Sequence, residues 1–141
     1  MEKLLQSIDD IYNYFDYIQK SNFIFAVSYQ GTEGYSSINE YENTMLNDAG
    51  IQFDFIKDKN KDFIMVTKND QILFYEEGKE LNKEYVENST HITFNSNSII
   101  VNNKQETSNE SRLNIVIIDT QGRVLDSLSI DYSTVFWLEN K

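Results

Sequence analysis

Phe23-Ile24-Phe25-Ala26-Val27 places five apolar residues in a row without a polar one between them. A strand that is exposed on one face alternates apolar and polar side chains, whereas a strand covered on both faces needs no polar positions. We therefore predict a central strand at residues 23–27, around which the other elements pack.

The stretch that follows, residues 28–36, contains two of the five glycines and is predicted to be a loop. Glycine lets a backbone approach a ligand closely, and tyrosine rings offer flat faces for stacking. This pattern predicts a ligand-binding site formed by Tyr29, Gly31, Glu33, Gly34 and Tyr35. We expect both tyrosine rings to be exposed, so that their replacement with alanine weakens binding with little loss of stability.

Two helices are predicted on either side of the central strand and loop. In residues 4–20 apolar side chains recur at helical spacing, with polar ones opposite. The second helix has a capping box formed by Ser37 and Glu40 and ends at Gly50. Its apolar stripe, predicted to face the core, consists of Ile38, Tyr41, Met45, Leu46 and Ala49.

Most of the remaining chain has the patterns of β-strands. Residues 51–56 alternate, residues 63–66 and 71–75 form a predicted hairpin, and residues 91–94 and 98–101 form two more strands. Residues 113–119 and 123–130 form a second predicted hairpin, with Gly122 in its turn. The charged stretch 76–88 is interpreted as a connection with one helical turn.

These elements predict an α+β fold in which two helices pack on a mainly antiparallel β-sheet system. A chain of 141 residues fits one domain. We expect residues 1–141 to form a single compact domain, with a helix-strand-helix-strand half at 1–75 and a β-hairpin half at 90–138.

The composition excludes several classes of function. With 12 basic and 23 acidic residues the net charge is -11, which repels the phosphate backbone of nucleic acids and anionic membrane surfaces. No apolar run approaches the roughly 18 residues of a membrane-spanning helix, and the first ten residues do not resemble a signal peptide. The absence of cysteine is most easily reconciled with a cytoplasmic location.

No motif in the sequence indicates catalysis. His91 is the only histidine, and without a nucleophile motif beside it we interpret it as an ordinary strand-edge residue. Asp58, Asn60 and Asp62 have the alternate spacing that opens a calcium loop, but Phe63 stands where that loop needs glycine. Acidic pairs such as Asp119 with Asp126 arise by chance among 23 acids. We predict no catalytic centre, no bound metal and no cofactor.

The segment 111–131 resembles the hallmark strand pair of the interleukin-like EMT inducer domain family. The matching positions are Arg112, Asn114, Asp119, Gly122, Asp126 and Ser127, whereas Leu113 and Ile130 replace the family's glycine and phenylalanine. Residues 26–29, 46–50 and 60–68 are similar to the family's other half, which here precedes the hairpin instead of following it. The resemblance implies a circular permutation or a fragment that spans two tandem copies.

The resemblance implies a compact, non-enzymatic α+β domain, since the family acts as secreted signals or as accessory modules, some of which bind carbohydrate. Fold alone does not assign a ligand. We therefore expect a recognition module for a glycan or a protein partner, with a role in bacterial envelope or polysaccharide assembly. The alternative is an acidic immunity- or antitoxin-type inhibitor of a basic toxin, whose association the negative charge would accelerate.

Overall fold

Two antiparallel sheets and one short helix make up the regular structure of the chain. The computed structural model describes residues 2–5, 22–31, 39–48, 50–79, 81–95, 98–107, 113–130 and 136–140. The helix of the described residues is α1, Glu40–Asp48. The strands are β1 Glu2–Leu5, β2 Ile24–Tyr29, β3 Phe63–Lys68, β4 Gln71–Glu77, β5 Asn82–Glu87, β6 Thr90–Asn95, β7 Ser98–Val101, β8 Lys104–Gln105, β9 Leu113–Ile118, β10 Val124–Ile130 and β11 Phe136–Asn140.

The large sheet has seven strands in the order β1-β11-β10-β9-β2-β3-β4, and the small sheet has four in the order β5-β6-β7-β8. Strand β2 pairs antiparallel with β3 on one side and with β9 on the other. The late hairpin β9–β10 therefore lies in the same sheet as β2, as the sequence predicted. The two halves of the chain meet along this β2–β9 ladder.

All six residues of β2 are buried, which confirms the predicted central strand. One face of the large sheet packs on α1 and residues 51–55 through Phe25, Val27 and Tyr29. The opposite face packs on the small sheet through Ile24 and Ala26, which join a cluster with strands β6 and β7. Burial of each large apolar side chain contributes about 1.5–3 kcal/mol, so these two clusters hold three layers together.

The predicted arrangement of two helices on a sheet is wrong for the described residues, which are mainly β-structure with one helix. Leu4 and Leu5, which the helical pattern placed at the start of a first helix, belong to strand β1 and pair with β11. Apolar residues near a helix start are equally suited to a strand that has a pairing partner. The rest of that prediction, residues 6–20, lies outside the described residues.

The helix α1 begins two residues later than its predicted capping box. Asn39 Oδ1 accepts a hydrogen bond from the Glu42 amide at 2.8 Å, and Glu42 Oε1 accepts one from the Asn39 amide at 2.9 Å. This reciprocal pair is a capping box with Asn39 as N-cap, so the predicted Ser37–Glu40 box is wrong. Asparagine is as good an N-cap as serine, and both pairs have the same spacing. The predicted end of the helix at Gly50 agrees with its φ of 104°.

Residues 51–56 alternate in burial as predicted, but they do not form a strand, and residues 55–56 belong to a turn in which the Asp58 amide donates to the Asp54 carbonyl at 2.9 Å. Ile51, Phe53 and Phe55 are buried and the residues between them are exposed, which matches the alternation in the sequence. Two asparagines of α1 replace the partner strand: Asn43 Oδ1 accepts from the Phe55 amide, and Asn47 Nδ2 donates to the Phe53 carbonyl, both at 2.8 Å. Side chains of the helix thus bind this segment's backbone directly.

The charged stretch 76–88 contains a strand instead of the predicted connection. Strand β4 extends to Glu77, and β5 follows at the edge of the small sheet. Most of β5 is exposed, and its inward Tyr85 ring lies 5.7 Å from that of Phe74. An edge strand tolerates charged residues because one backbone edge and one face remain in water. The predicted hairpin β3–β4 is confirmed, with Asn69 and Asp70 at positive φ in its turn.

The buried carboxyl of Glu42 makes a stability prediction. Burial raises the pKa of Glu42 above its ordinary value of 4.5, and the hydrogen bond from the Asn39 amide offsets only part of that effect. A raised folded-state pKa means that the folded protein binds the proton more tightly than the unfolded chain. The free energy of unfolding therefore falls as pH rises from about 4.5 through the folded-state pKa.

We expect Glu42→Gln to remove this loss, because glutamine keeps the capping geometry without the buried charge. Urea unfolding at pH 4 and pH 7 should show that the free energy of unfolding of the variant, relative to that of the wild type, increases as pH rises. The control is Glu40→Gln on the same helical turn, whose exposed carboxylate stabilises the helix dipole and whose loss should lower stability at pH 7. Parallel pH profiles for wild type and Glu42→Gln would contradict the assignment.

Candidate functional site

The predicted binding loop begins in the core. Tyr29 is only 3% exposed, and its ring centre lies 5.6, 5.0 and 5.6 Å from those of Phe53, Phe55 and Phe63. Its hydroxyl donates to the Lys59 carbonyl at 3.2 Å. The expectation that this ring is exposed for stacking is wrong, because Tyr29 is the last residue of a strand whose alternate side chains all face the helix layer.

We expected Gly31 to let the backbone approach a ligand closely. In the structure Gly31 instead lies close to the backbone of residues 59–61. A Cβ atom at this position would lie 2.5 Å from the Asn60 carbonyl carbon and from the Lys59 oxygen. The Gly31 amide also donates to Asp62 Oδ1 at 2.9 Å. The space that we predicted for a ligand is therefore occupied by residues 59–61. The other predicted site residues, Glu33, Gly34 and Tyr35, lie outside the described residues.

The other residues considered for catalysis or metal binding contact neighbouring charged side chains. His91 Nδ1 lies 3.2 Å from Glu84 Oε2 on the open face of the small sheet, where both side chains are 54% exposed. Asp62 Oδ1 binds Lys79 Nζ at 3.0 Å in addition to the Gly31 amide, and Asp58 lies 3.5 Å from Lys61. Among the described residues no group of three or more His, Cys, Asp or Glu side chains is arranged to hold a metal ion.

Asp119, one of the acids of the late hairpin, is bonded within its own turn. Burial by itself would raise the pKa of Asp119, but hydrogen bonds from the Arg123 and Gln121 amides and from the Arg123 guanidinium outweigh it and lower the pKa. These three bonds to the carboxylate are each 2.9 Å long. Asp119 is thus an ionised group that fixes the turn.

An open groove lies along one flank of α1. Its volume is about 370 Å³, and it is lined by Glu40, Tyr41, Thr44, Met45 and Asp48. These positions are spaced one, three, one and three residues apart, which places them on a single stripe of the helix. A second cavity, between the β5–β6 turn and the β9–β10 turn, has about 40 Å³ and is large enough only for water.

The groove combines apolar surface with charge at its two ends. Met45 is 2% exposed and forms the apolar base, whereas the Tyr41 side chain is 57% exposed. Glu40 lies in the first turn of α1 and Asp48 in the last. An accessible aromatic ring between carboxylates can stack on a sugar, cover an aliphatic surface or contact a cation. The arrangement is suited to binding.

Sequence analysis placed Tyr41 on the core face of the helix, and its exposure corrects that expectation. The buried side chains of α1 are Glu42, Met45 and Leu46, so the core face is centred beyond Met45 and Tyr41 falls at its edge. The sequence contained this information. At 100° per residue, Tyr41 and Leu46 lie 140° apart around the helix axis, so they cannot both face the centre of the core. The buried Glu42, an acid within the core face, obscured it.

No family model, curated protein or solved structure matches the chain. The resemblance to the interleukin-like EMT inducer domain family therefore stays a prediction. Within the described residues, no helix has the length and apolar character that crossing a membrane requires.

The aromatic cluster around Tyr29 generates a second prediction, opposite to the one drawn from the sequence. We expect Tyr29→Ala to destabilise the fold by about 3–5 kcal/mol, as removal of a large buried ring does. Tyr29→Phe keeps the ring and loses one hydrogen bond, so it should cost about 1 kcal/mol. Urea denaturation of the two variants measures both values. A Tyr29→Ala variant as stable as the wild type would show that the ring is at the surface.

Proposed function

We propose that this protein is a non-enzymatic recognition domain that binds a glycan or a protein in the groove along α1. The observation that carries the proposal is the exposed Tyr41 beside a buried apolar base, with the carboxylates of Glu40 and Asp48 at the ends of the same stripe. A single exposed ring is ordinary, but this ring lies in a concave site with apolar surface and a few polar groups, which is the usual composition of a binding site.

The non-enzymatic part of the proposal is supported by the way in which reactive groups are used. Asp119 is fixed in a turn by the groups that lower its pKa, and Glu42 is held in the capping box of α1. The described lining residues of the groove offer the hydroxyls of Tyr41 and Thr44 and include neither histidine nor lysine. The resemblance noted in the sequence points to the same role, because that family is non-enzymatic.

The second candidate is an acidic inhibitor of a basic protein, and the net charge of -11 favours it. A charge of this size accelerates association with a cationic partner and repels nucleic acid. We also propose that the protein acts in the cytoplasm, which the absence of cysteine supports. Both candidates use the same groove and differ in the ligand.

The experiment is a paired screen of the wild-type chain on a glycan array and on an array of peptides that vary in charge and apolar content. Each ligand found is then titrated against Tyr41→Ala. We expect this variant to weaken binding about tenfold, which corresponds to about 1.4 kcal/mol. Its stability should change much less than that of Tyr29→Ala, because 57% of Tyr41 is in water whereas Tyr29 is buried.

The matched control is Val86→Ala, which shortens a side chain that is 49% exposed on the small sheet, away from α1. It should bind as the wild type does. Failure of the wild type to bind any probe would overturn the proposal, and so would ligands whose affinity is the same for wild type and Tyr41→Ala.

A further inference from the structure

We infer that the groove receives a basic segment of a protein partner, with a guanidinium or ammonium group placed at Asp48. This inference rests on the proposed function and specifies its ligand. It is argued from the charges along α1, from the ion pairs elsewhere on the described surface and from the length of the groove.

Asp48 is placed where a helix gains nothing from a carboxylate. The carboxyl end of a helix carries a partial negative charge, so an acid in the last turn is unfavourable by about 0.3–1 kcal/mol. The last turn of α1 contains no basic residue to offset it. By contrast, Glu40 and Glu42 in the first turn stabilise the helix. The helix dipole therefore accounts for Glu40 but not for Asp48, and a cation bound at Asp48 would compensate both the carboxylate and the dipole.

The groove carboxylates also differ from most other acids on the described surface. At the edge of the two sheets, Lys79 lies 3.0 Å from Asp62, Lys83 lies 3.6 Å from Glu76, and Lys61 lies within 3.6 Å of both Asp58 and Glu77. Neither Glu40 nor Asp48 forms an ion pair with a described residue. Among the described residues, the acids near the sheet edges are thus paired with lysines, whereas the two groove carboxylates are not.

The dimensions of the groove suit a short peptide. Glu40 and Asp48 are eight residues apart, which is about 12 Å along a helix axis. In an extended segment the side chains at positions i and i+4 lie on the same face and about 13 Å apart, so two basic side chains separated by three residues reach both ends. Between them the ring of Tyr41 can cover an aliphatic side chain or the face of a guanidinium. A neutral glycan would use the ring but gain nothing from the two charges.

The test uses the peptide Arg-Ser-Leu-Ser-Arg with a fluorescent label, in which both arginines and the leucine lie on one face when the peptide is extended. It is titrated with the full chain by anisotropy at 50 mM salt. The comparison peptide has glutamine in place of each arginine. We expect Asp48→Asn to weaken binding of the arginine peptide about threefold to fivefold, as loss of one partly exposed ion pair does. The thermal midpoint of Asp48→Asn should equal or exceed that of the wild type. If Asp48 had a structural role, the midpoint of this variant would fall. The glutamine peptide should bind wild type and variant alike.

The matched control is Glu84→Gln, which removes the same charge from a side chain that is 54% exposed on the small sheet. It should weaken binding less than 1.5-fold. The small sheet and α1 lie on opposite faces of the large sheet, and salt screens the charge of a distant exposed residue. Equal effects of Asp48→Asn and Glu84→Gln would mean attraction to net charge alone and would overturn the inference.

The outcomes separate the inference from the proposed function. If Tyr41→Ala weakens binding of the arginine peptide and Asp48→Asn does not, the peptide binds in the groove, but the inferred contact between its cation and Asp48 is wrong. If binding in the groove is found only for neutral glycans, the inference also fails while the proposed function stands. If neither variant changes binding of any ligand, both fail.

Discussion

Burial of β2 on both faces is the constraint on which the rest of the structure depends. A strand with no solvent-facing side must be paired along both edges and covered by a layer above and below. Strands β3 and β9 supply the edges, and α1 with residues 51–55 and the small sheet supply the layers. Because β9 comes from the last third of the chain, the core forms only when distant parts of the sequence meet.

The same constraint determines where the side chains at the end of β2 lie. Side chains at alternate positions of β2 must enter the helix-side cluster, and Tyr29 at its end therefore completes an aromatic cluster with Phe53, Phe55 and Phe63. Gly31, two residues after the end of β2, lies against residues 59–61. Met45 and Leu46 of α1 belong to the helix-side cluster, and Tyr41 stays exposed beside Met45 in the groove. The candidate site thus lies at the border of the core face of the helix.

Hydrophobic pattern predicted the interior of the fold well because it reports burial directly. The unbroken run at 23–27 and the hairpin β9–β10 were found from sequence for this reason. Pattern failed where backbone partners decide the structure: Asn43 and Asn47 hold residues 53–55 in place of a strand, and β5 is a strand by pairing with β6 despite its charge. It failed for the ring of Tyr29 because a tyrosine near a glycine-containing loop has the same sequence signal whether its ring enters the core or faces solvent.

Native-state hydrogen exchange of the backbone amides tests the central role of β2 most directly. Amides that open only on global unfolding exchange slowest, whereas edge strands open locally. The structure predicts the slowest exchange at Ala26 and Val27 of β2 and at Val116 of β9, with β5 exchanging orders of magnitude faster. Exchange in β2 as fast as in β5 would contradict the account, since a strand covered on both faces and paired on both edges cannot open alone.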